Sequence, residues 1–184
     1  MHRLRFDYLL FLNPDTKIIK ADFKALISFL NQHSNIGIIG LQIVLEDGSL
    51  QPYSYGKKFN IFSKFSPSFG MIDWVSGGAM VVRKDLFERL GGFDEQFFMY
   101  FEDQDLCLRA KNLGFKIKLW DGVKVLHFGG VPAQGGSHGD RKLQLKLYKE
   151  SRAKFIKKHY GLTYYMLFAL LDRLWRVSRM LIWH

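Results

Sequence analysis

The stretch that decides the fold is residues 87–110, FERLGGFDEQFFMYFEDQDLCLRA. Its first residues close a short helix predicted over 83–90, and the Gly91-Gly92 pair ends it. Residues 97–101 (FFMYF) carry no charge, and Glu102, Asp103 and Asp105 follow at once. From Glu102 the pattern is helical, with Leu106, Ala110 and Leu113 at i, i+4 and i+7, and Gly114 as the stop. Three carboxylates at a helix start suit the helix dipole, so capping is one reading. The Asp105/Arg109 spacing of four also fits a surface ion pair. The other reading is chemical: a carboxylate beside an uncharged aromatic segment is partly desolvated, which raises its pKa and fits general-base duty.

Outward from this segment, strands and helices alternate. Downstream, residues 116–120 and 124–128 read as two short strands. A Gly-rich stretch (131–139) and two helices (140–159 and 163–184) follow. Upstream, residues 7–12 (DYLLFL) form a short, continuously apolar strand, and residues 13–16 (NPDT) a turn. Phe23, Leu26, Ile27 and Leu30 share one face of a helix over 21–33. Residues 36–45 give another strand, and 46–49 a turn. Residues 51–72 show no period and read as a long loop, of the kind that often serves as a lid or binding loop. Residues 73–82 hold Trp74, the Gly77-Gly78 pair and an apolar strand. The alternation predicts an α/β layered domain.

The chain has 184 residues, suited to one domain, and is 48% hydrophobic and 24% charged, which supports a packed core. Aromatics reach 16%, fitting either a lined cleft or that core. A single cysteine, Cys107, rules out an intramolecular disulfide and points to a reducing compartment. The N-terminus lacks a signal-peptide pattern, and no apolar run reaches the ~18 residues of a membrane span. The net charge of +10 is concentrated in residues 141–184, where 11 Lys/Arg face Glu150 and Asp172. Such a patch attracts phosphates or anionic lipid, or is simply a solvated helix face. No helix-turn-helix, zinc-finger or RNA-binding signature accompanies it, so nucleic acid is not the expected partner.

Several residues are candidates for chemistry. Asp15 follows a buried strand in an α/β pattern, at the carboxyl edge where ligands bind, and its oxygens suit a divalent cation. The same Asn-Pro-Asp-Thr run is also an ordinary turn. His127 ends an apolar strand, and its imidazole suits a metal beside carboxylates, although a lone His is more often structural. His138 is a weaker candidate of the same kind. Trp74 with Gly77-Gly78 reads equally as a core Trp against close-packed backbone or as the floor of a sugar cleft.

Together these pieces resemble glycosyltransferase family 2, in particular its rhamnosyltransferase-like members. The resemblance rests on YLLFLNPDT (8–16), DWVSGGAMVVR (73–83), FERLGGFDEQFFMYFEDQDLCLRA (87–110) and VLHFG (125–129), in that order. It covers residues 8–160. It implies a GT-A-like mixed sheet flanked by helices, a nucleotide-diphosphate sugar donor, a saccharide or lipid-linked acceptor, and a divalent metal, Mg²⁺ or Mn²⁺. Asn13-Pro14-Asp15 matches the position of the family's Asp-x-Asp motif, with Asn13 in place of the first Asp and Asp15 left to hold the metal. Asp103 matches the general base, with Glu102 beside it. His127 matches a histidine that completes the metal and diphosphate site. Asn13, Trp74, Gly77, Gly78 and Arg109 fill out the donor- and acceptor-binding set.

One departure stands out. Family members open with a nucleotide-binding α/β half about 80 residues ahead of the Asn-Pro-Asp motif, whereas here only residues 1–6 precede the strand. The chain is therefore expected to be an N-terminally incomplete, acceptor-side piece (1–160), with an unpaired sheet edge that is an aggregation hazard. A non-catalytic remnant or partner-binding fragment is the competing expectation. Nucleotidyl transfer on a similar fold is disfavoured by the Glu-Asp helix. Residues 161–184 form a basic amphipathic helix: Asp172, Arg173, Arg176 and Arg179 share a polar stripe, and Leu170, Leu171, Leu174 and Trp175 cover the rest. That pattern predicts either peripheral attachment at the inner face of the plasma membrane from the cytoplasm, or packing on protein.

Overall fold

The computed structural model describes residues 6–51, 55–56, 72–128 and 141–182, with side chains of the last segment described over 142–175. The Gly-rich stretch with His138, most of the 51–72 loop, and the side chains of Arg176 and Arg179 lie outside the described residues. The elements in order are β1 (Tyr8–Leu12), β2 (Thr16–Ala21), α1 (Phe23–Gln32), β3 (Ile36–Val44), β4 (Tyr55–Gly56), β5 (Trp74–Val75), β6 (Ala79–Arg83), α2 (Lys84–Arg89), α3 (Glu102–Asn112), β7 (Lys116–His127) and α4 (Arg141–Ile182).

Five strands form one mixed sheet in the order β1-β6-β3-β7-β2, and β4 pairs with β5 in a separate ribbon. β3 runs parallel to β7, while β6 is antiparallel to both β1 and β3, so β1, β3 and β7 share one direction. β3 is the central strand. Its sequence, IGIIGLQIV, is buried along nearly its whole length, as expected for a strand covered on both faces. Ile36, Ile39, Leu41 and Ile43 pack toward Leu26 and Leu30 of α1. Ile38 faces the opposite way, onto Met80, Val82, Leu86, Leu106 and Cys107, which join the sheet to α2 and α3. Gly37 and Gly40 are fixed by this packing: a Cβ at Gly40 would stand 2.6 Å from Val75 Cγ1, and one at Gly37 2.4 Å from Leu86 Cδ2.

β1 and β2 occupy opposite edges of the sheet, yet only residues 13–15 connect them. Four Cα steps from Leu12 to Thr16 reach at most about 15 Å. Crossing four strand spacings of a flat sheet needs about 19 Å. The sheet must therefore curl until its two edges approach at this end. That end also carries the carboxyl termini of β1, β3 and β7, together with the turn entering β6.

Two expectations are corrected here. The turn over 13–16 runs directly into β2, whose TKIIKA sequence pairs antiparallel with β7. The two strands expected at 116–120 and 124–128 are one strand, β7, with its register shifted between Leu41/Trp120 and Gln42/Lys124. The extra residues 121–123 form a bulge that bends the strand but keeps it in the sheet. α1 is shorter than the expected 21–33: it begins at Phe23, with Asp22 as N-cap accepting from the Ala25 amide at 3.1 Å. α4 is interrupted at Gly161, whose φ of 85° and ψ of 170° belong to a region essentially reserved for glycine.

Candidate active site

The carboxyl end of the curled sheet gathers most of the residues singled out from sequence. The Asn13 amide donates to the Gly78 carbonyl at 3.0 Å, tying the end of β1 to the turn between β5 and β6. Thr16 Oγ1 donates to the Asn13 carbonyl at 2.6 Å, which closes the 13–16 turn. The approach of Asn13 to Gly78 is close: a Cβ on Gly78 would lie 3.2 Å from Asn13 Nδ2. On the other side of the same turn, the Gly77 amide donates to Asp103 Oδ2 at 3.1 Å. Asn13, Gly77, Gly78 and Asp103 are thus consecutive members of one contact chain.

Asp103 sits in the first turn of α3. Its Oδ1 accepts from the Gln104 amide at 2.7 Å, so both oxygens are oriented by backbone donors. Burial raises its pKa, and the backbone bonds to Gly77 and Gln104 only partly oppose that. Glu102 is also raised, first by burial and then by the charge of Asp103. Among the described residues, Glu102 Oε2 is buried without a hydrogen-bond partner. The helix receives no side-chain cap, and the residues leading into it are strained: Tyr100 and Phe101 both have positive φ, 67° and 69°. Consecutive non-glycine residues in the left-handed region cost on the order of 1–3 kcal/mol each and persist where the surroundings enforce them. Here Tyr100 and Phe101 are held by packing in one cluster with Phe97, Leu108 of α3 and Phe155 of α4.

Asp105 is a buried anchor. It is fully buried and receives Arg109 Nε at 2.7 Å, Lys158 Nζ at 2.6 Å and His159 Nε2 at 2.7 Å. Burial pushes its carboxyl up, but the bonds from His159, Lys158 and Arg109 together outweigh that and hold it at about 2. The ion pair expected at the surface is therefore interior. Arg109, expected among the binding residues, braces the fold: Nη1 donates to the Leu90 carbonyl at 2.7 Å and Nη2 to the Gly92 carbonyl at 2.9 Å. Ser151 and Lys154 of α4 hold the carbonyls of Met99 and Gln96 at 2.7 and 2.9 Å. α4 thus clamps the segment that presents Glu102 and Asp103.

Asp15 and His127 meet across the junction of β2 and β7. His127 Nε2 lies 3.1 Å from Asp15 Oδ2, and its Nδ1 lies 2.6 Å from Gln51 Oε1. The Phe128 amide donates to the Asp15 carbonyl at 3.0 Å, fixing the backbone on both sides. Gln51 Oε1 can accept only from Nδ1–H, and that tautomer leaves Nε2 free of a proton, as a cation shared with Asp15 would need. Gln51 was not predicted; it lies at the start of a stretch without periodicity. Among the described residues no group of three or more His, Cys, Asp or Glu comes together so that it could hold a metal ion. Trp74 is half-buried, packed onto the α3 side of the core and against Gly56, where a Cβ would be 2.7 Å from its Nε1. Cys107 is buried and its thiol is pushed up to about 12 by burial, so it is an inert packing residue.

Comparison with known proteins fits this geometry. Residues 58–129 match the family described as the N-terminal domain of galactosyltransferase. The rhamnosyltransferase WbbL of Escherichia coli is 31% identical over 140 residues, covering 66% of this chain and 52% of that protein. The chain is thus similar to glycosyltransferases of the kind its motifs resemble. Another such relative, the N-acetylglucosaminyl-diphospho-decaprenol L-rhamnosyltransferase of Mycobacterium tuberculosis, is 28% identical over 143 residues, covering 66% of this chain and 47% of that protein. The chain spans about half the length of these curated relatives. Among solved GT-A structures, that of GalNAc-T7 with UDP, GalNAc and Mn²⁺ superimposes with a TM-score of 0.51 at 14% identity, over 86% of this chain and 35% of that one. The GT-A-like α/β fold expected from the sequence is the fold observed.

Proposed function

We propose that the chain supplies the acceptor-side catalytic part of an inverting glycosyltransferase, moving a sugar from a nucleoside-diphosphate sugar to a saccharide or lipid-linked acceptor in cell-surface polysaccharide synthesis. Rhamnose is the favoured sugar, on the names of the two rhamnosyltransferase relatives. The observation that carries the reading is Asp103: a desolvated carboxylate, its pKa raised, aimed by the Gly77 and Gln104 amides at the carboxyl end of the sheet. A raised pKa makes a carboxylate a more effective proton acceptor, and backbone donors fix where its free lone pairs point. Asp103 takes the proton of an acceptor hydroxyl as that oxygen bonds to the anomeric carbon. The bond from that carbon to the nucleoside diphosphate breaks on the opposite face, and configuration inverts. Glu102 adds a second, half-buried carboxylate beside the reacting hydroxyl.

Asp15 and His127 fit a divalent cation, Mg²⁺ or Mn²⁺, because one carboxylate oxygen and one imidazole nitrogen converge and Gln51 holds the ring. A cation held there supplies neutralisation of charge on the leaving diphosphate. Beyond Gly161, α4 exposes Leu162, Met166, Leu167, Leu170, Leu174 and Trp175 beside Arg173. No helix among the described residues is long and apolar enough to cross a membrane. An exposed apolar face with basic residues supports an interfacial segment over 161–184, attached to an anionic cytoplasmic leaflet where lipid-linked acceptors reside.

The test is a transfer assay across nucleoside-diphosphate sugars, with and without Mn²⁺, on the chain and its Asp103→Asn variant. General-base loss lowers turnover about 10²–10⁴-fold with donor binding retained. Equal turnover in the variant removes Asp103 from the chemistry.

A further inference from the structure

Arg152 is half-buried on α4, and its guanidinium stands over two aromatic rings, 4.9 Å from the centroid of Phe168 and 5.7 Å from that of Tyr148. Arg152 and Phe168 are 16 positions apart, which a straight helix would separate by about 24 Å. The chain therefore folds back at Gly161, and Tyr160 and Tyr164 stack beside the bend at 5.0 Å. The cation meets no counter-charge there. Among the described residues no carbonyl or carboxylate accepts from Arg152. Of the two acids on α4, Glu150 pairs with Lys146 at 4.0 Å, and no ion pair joins Asp172 to Arg152. None of the Arg152 nitrogens is sealed from solvent. The other partly buried arginines among the described residues differ: Arg83 and Arg109 spend their donors on backbone carbonyls and on Asp105.

A guanidinium is always charged and carries five N–H donors in a planar fork. Contacts with ring faces hold the head in place but use none of those donors. A partly desolvated cation with its donors unspent fits an oxyanion, and the planar fork fits a phosphate. The surroundings indicate what that phosphate is attached to. On one side, the Tyr148 ring lies 5.7 Å from Tyr100 and 5.3 Å from Phe101, and Phe101 leads directly into Glu102 and Asp103. On the other side, Leu171 follows Phe168 by one turn and is 39% exposed, on the segment whose outer face is apolar. Leu145, one turn before Tyr148, is exposed as well. Carboxylates, cation and apolar surface thus follow one another in a row. A lipid-linked sugar has the matching order of saccharide, phosphate and hydrocarbon chain.

We infer that Arg152 anchors the phosphate of a lipid-linked acceptor, with the saccharide toward Phe101 and α3 and the hydrocarbon chain along Leu145 and Leu171. The inference deepens the transferase reading and rests on it for its link to turnover, while the binding of a lipid phosphate does not depend on it. A membrane phospholipid headgroup offers the same phosphate chemistry, and the two sources are separable by experiment.

The experiment titrates farnesyl diphosphate and inorganic diphosphate into the full chain by calorimetry in EDTA, and measures sedimentation with phosphatidylglycerol vesicles, with Arg152→Gln, Arg152→Lys and Leu171→Ser in parallel. The wild type is expected to bind farnesyl diphosphate more tightly than inorganic diphosphate. Arg152→Gln weakens farnesyl diphosphate about tenfold or more, because charge-assisted hydrogen bonds are lost. Arg152→Lys keeps the charge but not the fork and weakens it severalfold. Leu171→Ser alters only an exposed side chain, so its folding is secure; it weakens farnesyl diphosphate and leaves inorganic diphosphate unchanged. No binding of farnesyl diphosphate by the wild type, or binding unaffected by Arg152→Gln or by Leu171→Ser, overturns the inference. Arg152-dependent binding confined to the vesicles also overturns it, by assigning the phosphate to a headgroup. In the transfer assay Arg152→Gln raises the KM for a lipid-linked acceptor and leaves the donor KM unchanged. Arg152-dependent binding of farnesyl diphosphate without any transfer by the wild type leaves the anchor standing and defeats the transferase reading. Transfer by the wild type with the acceptor KM unchanged in Arg152→Gln does the reverse.

Discussion

The Gly77 amide donates a 3.1 Å hydrogen bond to Asp103 Oδ2, and Gly78, the next residue, accepts from the Asn13 amide at 3.0 Å. Two adjacent glycines thus couple the start of α3 to the end of β1. They respond differently to a side chain. A Cβ on Gly77 would make ordinary contacts, 3.6 Å from Asp103 Cβ, whereas one on Gly78 would press to 3.2 Å from Asn13 Nδ2 and 3.3 Å from Ser76 Oγ. Gly78→Ala is expected to shift Asn13 and lower transfer at least severalfold, with about 1 kcal/mol lost in stability. Gly77→Ala is expected to stay within about 0.5 kcal/mol. Parallel urea melts and transfer assays check the contrast.

Asp105 links α3 to α4 through Lys158 and His159, a tie between residues 53 and 54 positions apart. Removing one partner of a buried charge cluster strands the others, so Asp105→Ala is expected to cost about 3–5 kcal/mol. The pH dependence follows from its depressed pKa. A carboxyl held at about 2 when folded, against 3.8 when unfolded, contributes stability that is fully present above pH 3.8. That contribution, on the order of 2 kcal/mol, is lost as pH falls from 3.8 toward about 2. Denaturant midpoints measured from pH 7 to pH 2 should show the loss in the wild type and its absence in Asp105→Ala.

Glu102 carries the opposite sign. Burial, and then the charge of Asp103, raise its pKa above 4.5, so the folded state holds the proton more tightly than the unfolded chain. Its ionisation therefore destabilises the fold, an effect absent below pH 4.5 and growing as pH rises above it. Glu102→Gln is expected to be more stable than the wild type at pH 7 and to lose that advantage near pH 4. Thermal melts at the two pH values decide it.

Gln51 orients His127 by a 2.6 Å contact to Nδ1. Loss of such a supporting partner typically weakens metal affinity 10–100-fold. Gln51→Leu is expected to raise the Mn²⁺ concentration for half-maximal transfer by that factor while leaving activity at saturating metal near the wild-type value. A metal titration of both proteins is the measurement.

The segment after Gly161 offers a prediction independent of catalysis. Wild-type protein is expected to pellet with liposomes containing anionic lipid, and Leu170→Glu/Leu174→Glu to remain in the supernatant. Pelleting that is equal for both proteins, or independent of lipid charge, removes the interfacial role.

Much of this arrangement is legible from residues alone because it is local. The apolar run of β1, the helical spacing from Leu106 to Leu113, and the position of Asp103 at a helix start need only nearest neighbours in sequence. What escapes is tertiary. Asp105 and Arg109 read as a surface pair because nothing near them announces Lys158 and His159, which bury the pair from a distant helix. β2 hides behind a strong turn signal, and its two lysines, Lys17 and Lys20, are those of an edge strand. Asp121-Gly122 reads as a break between strands because a bulge and a turn use the same residues, and only the pairing with β3 distinguishes them. Gln51 is an ordinary polar residue until the curl of the sheet brings His127 to it.

That curl has a thermodynamic consequence. Residues 13–15 bridge the two edge strands, and the candidate ligand groups stand on this bridge, at Asp15, and at the end of β7 beside β2, at His127. A ligand gripping Asp15 and His127 would act as a clasp on a nearly closed ring, stabilising the fold in proportion to the logarithm of its concentration over its Kd. Amide hydrogen exchange in β1 and β2, the strands farthest apart in pairing order, should then slow together when the site fills, reporting occupancy from both edges of the sheet at once.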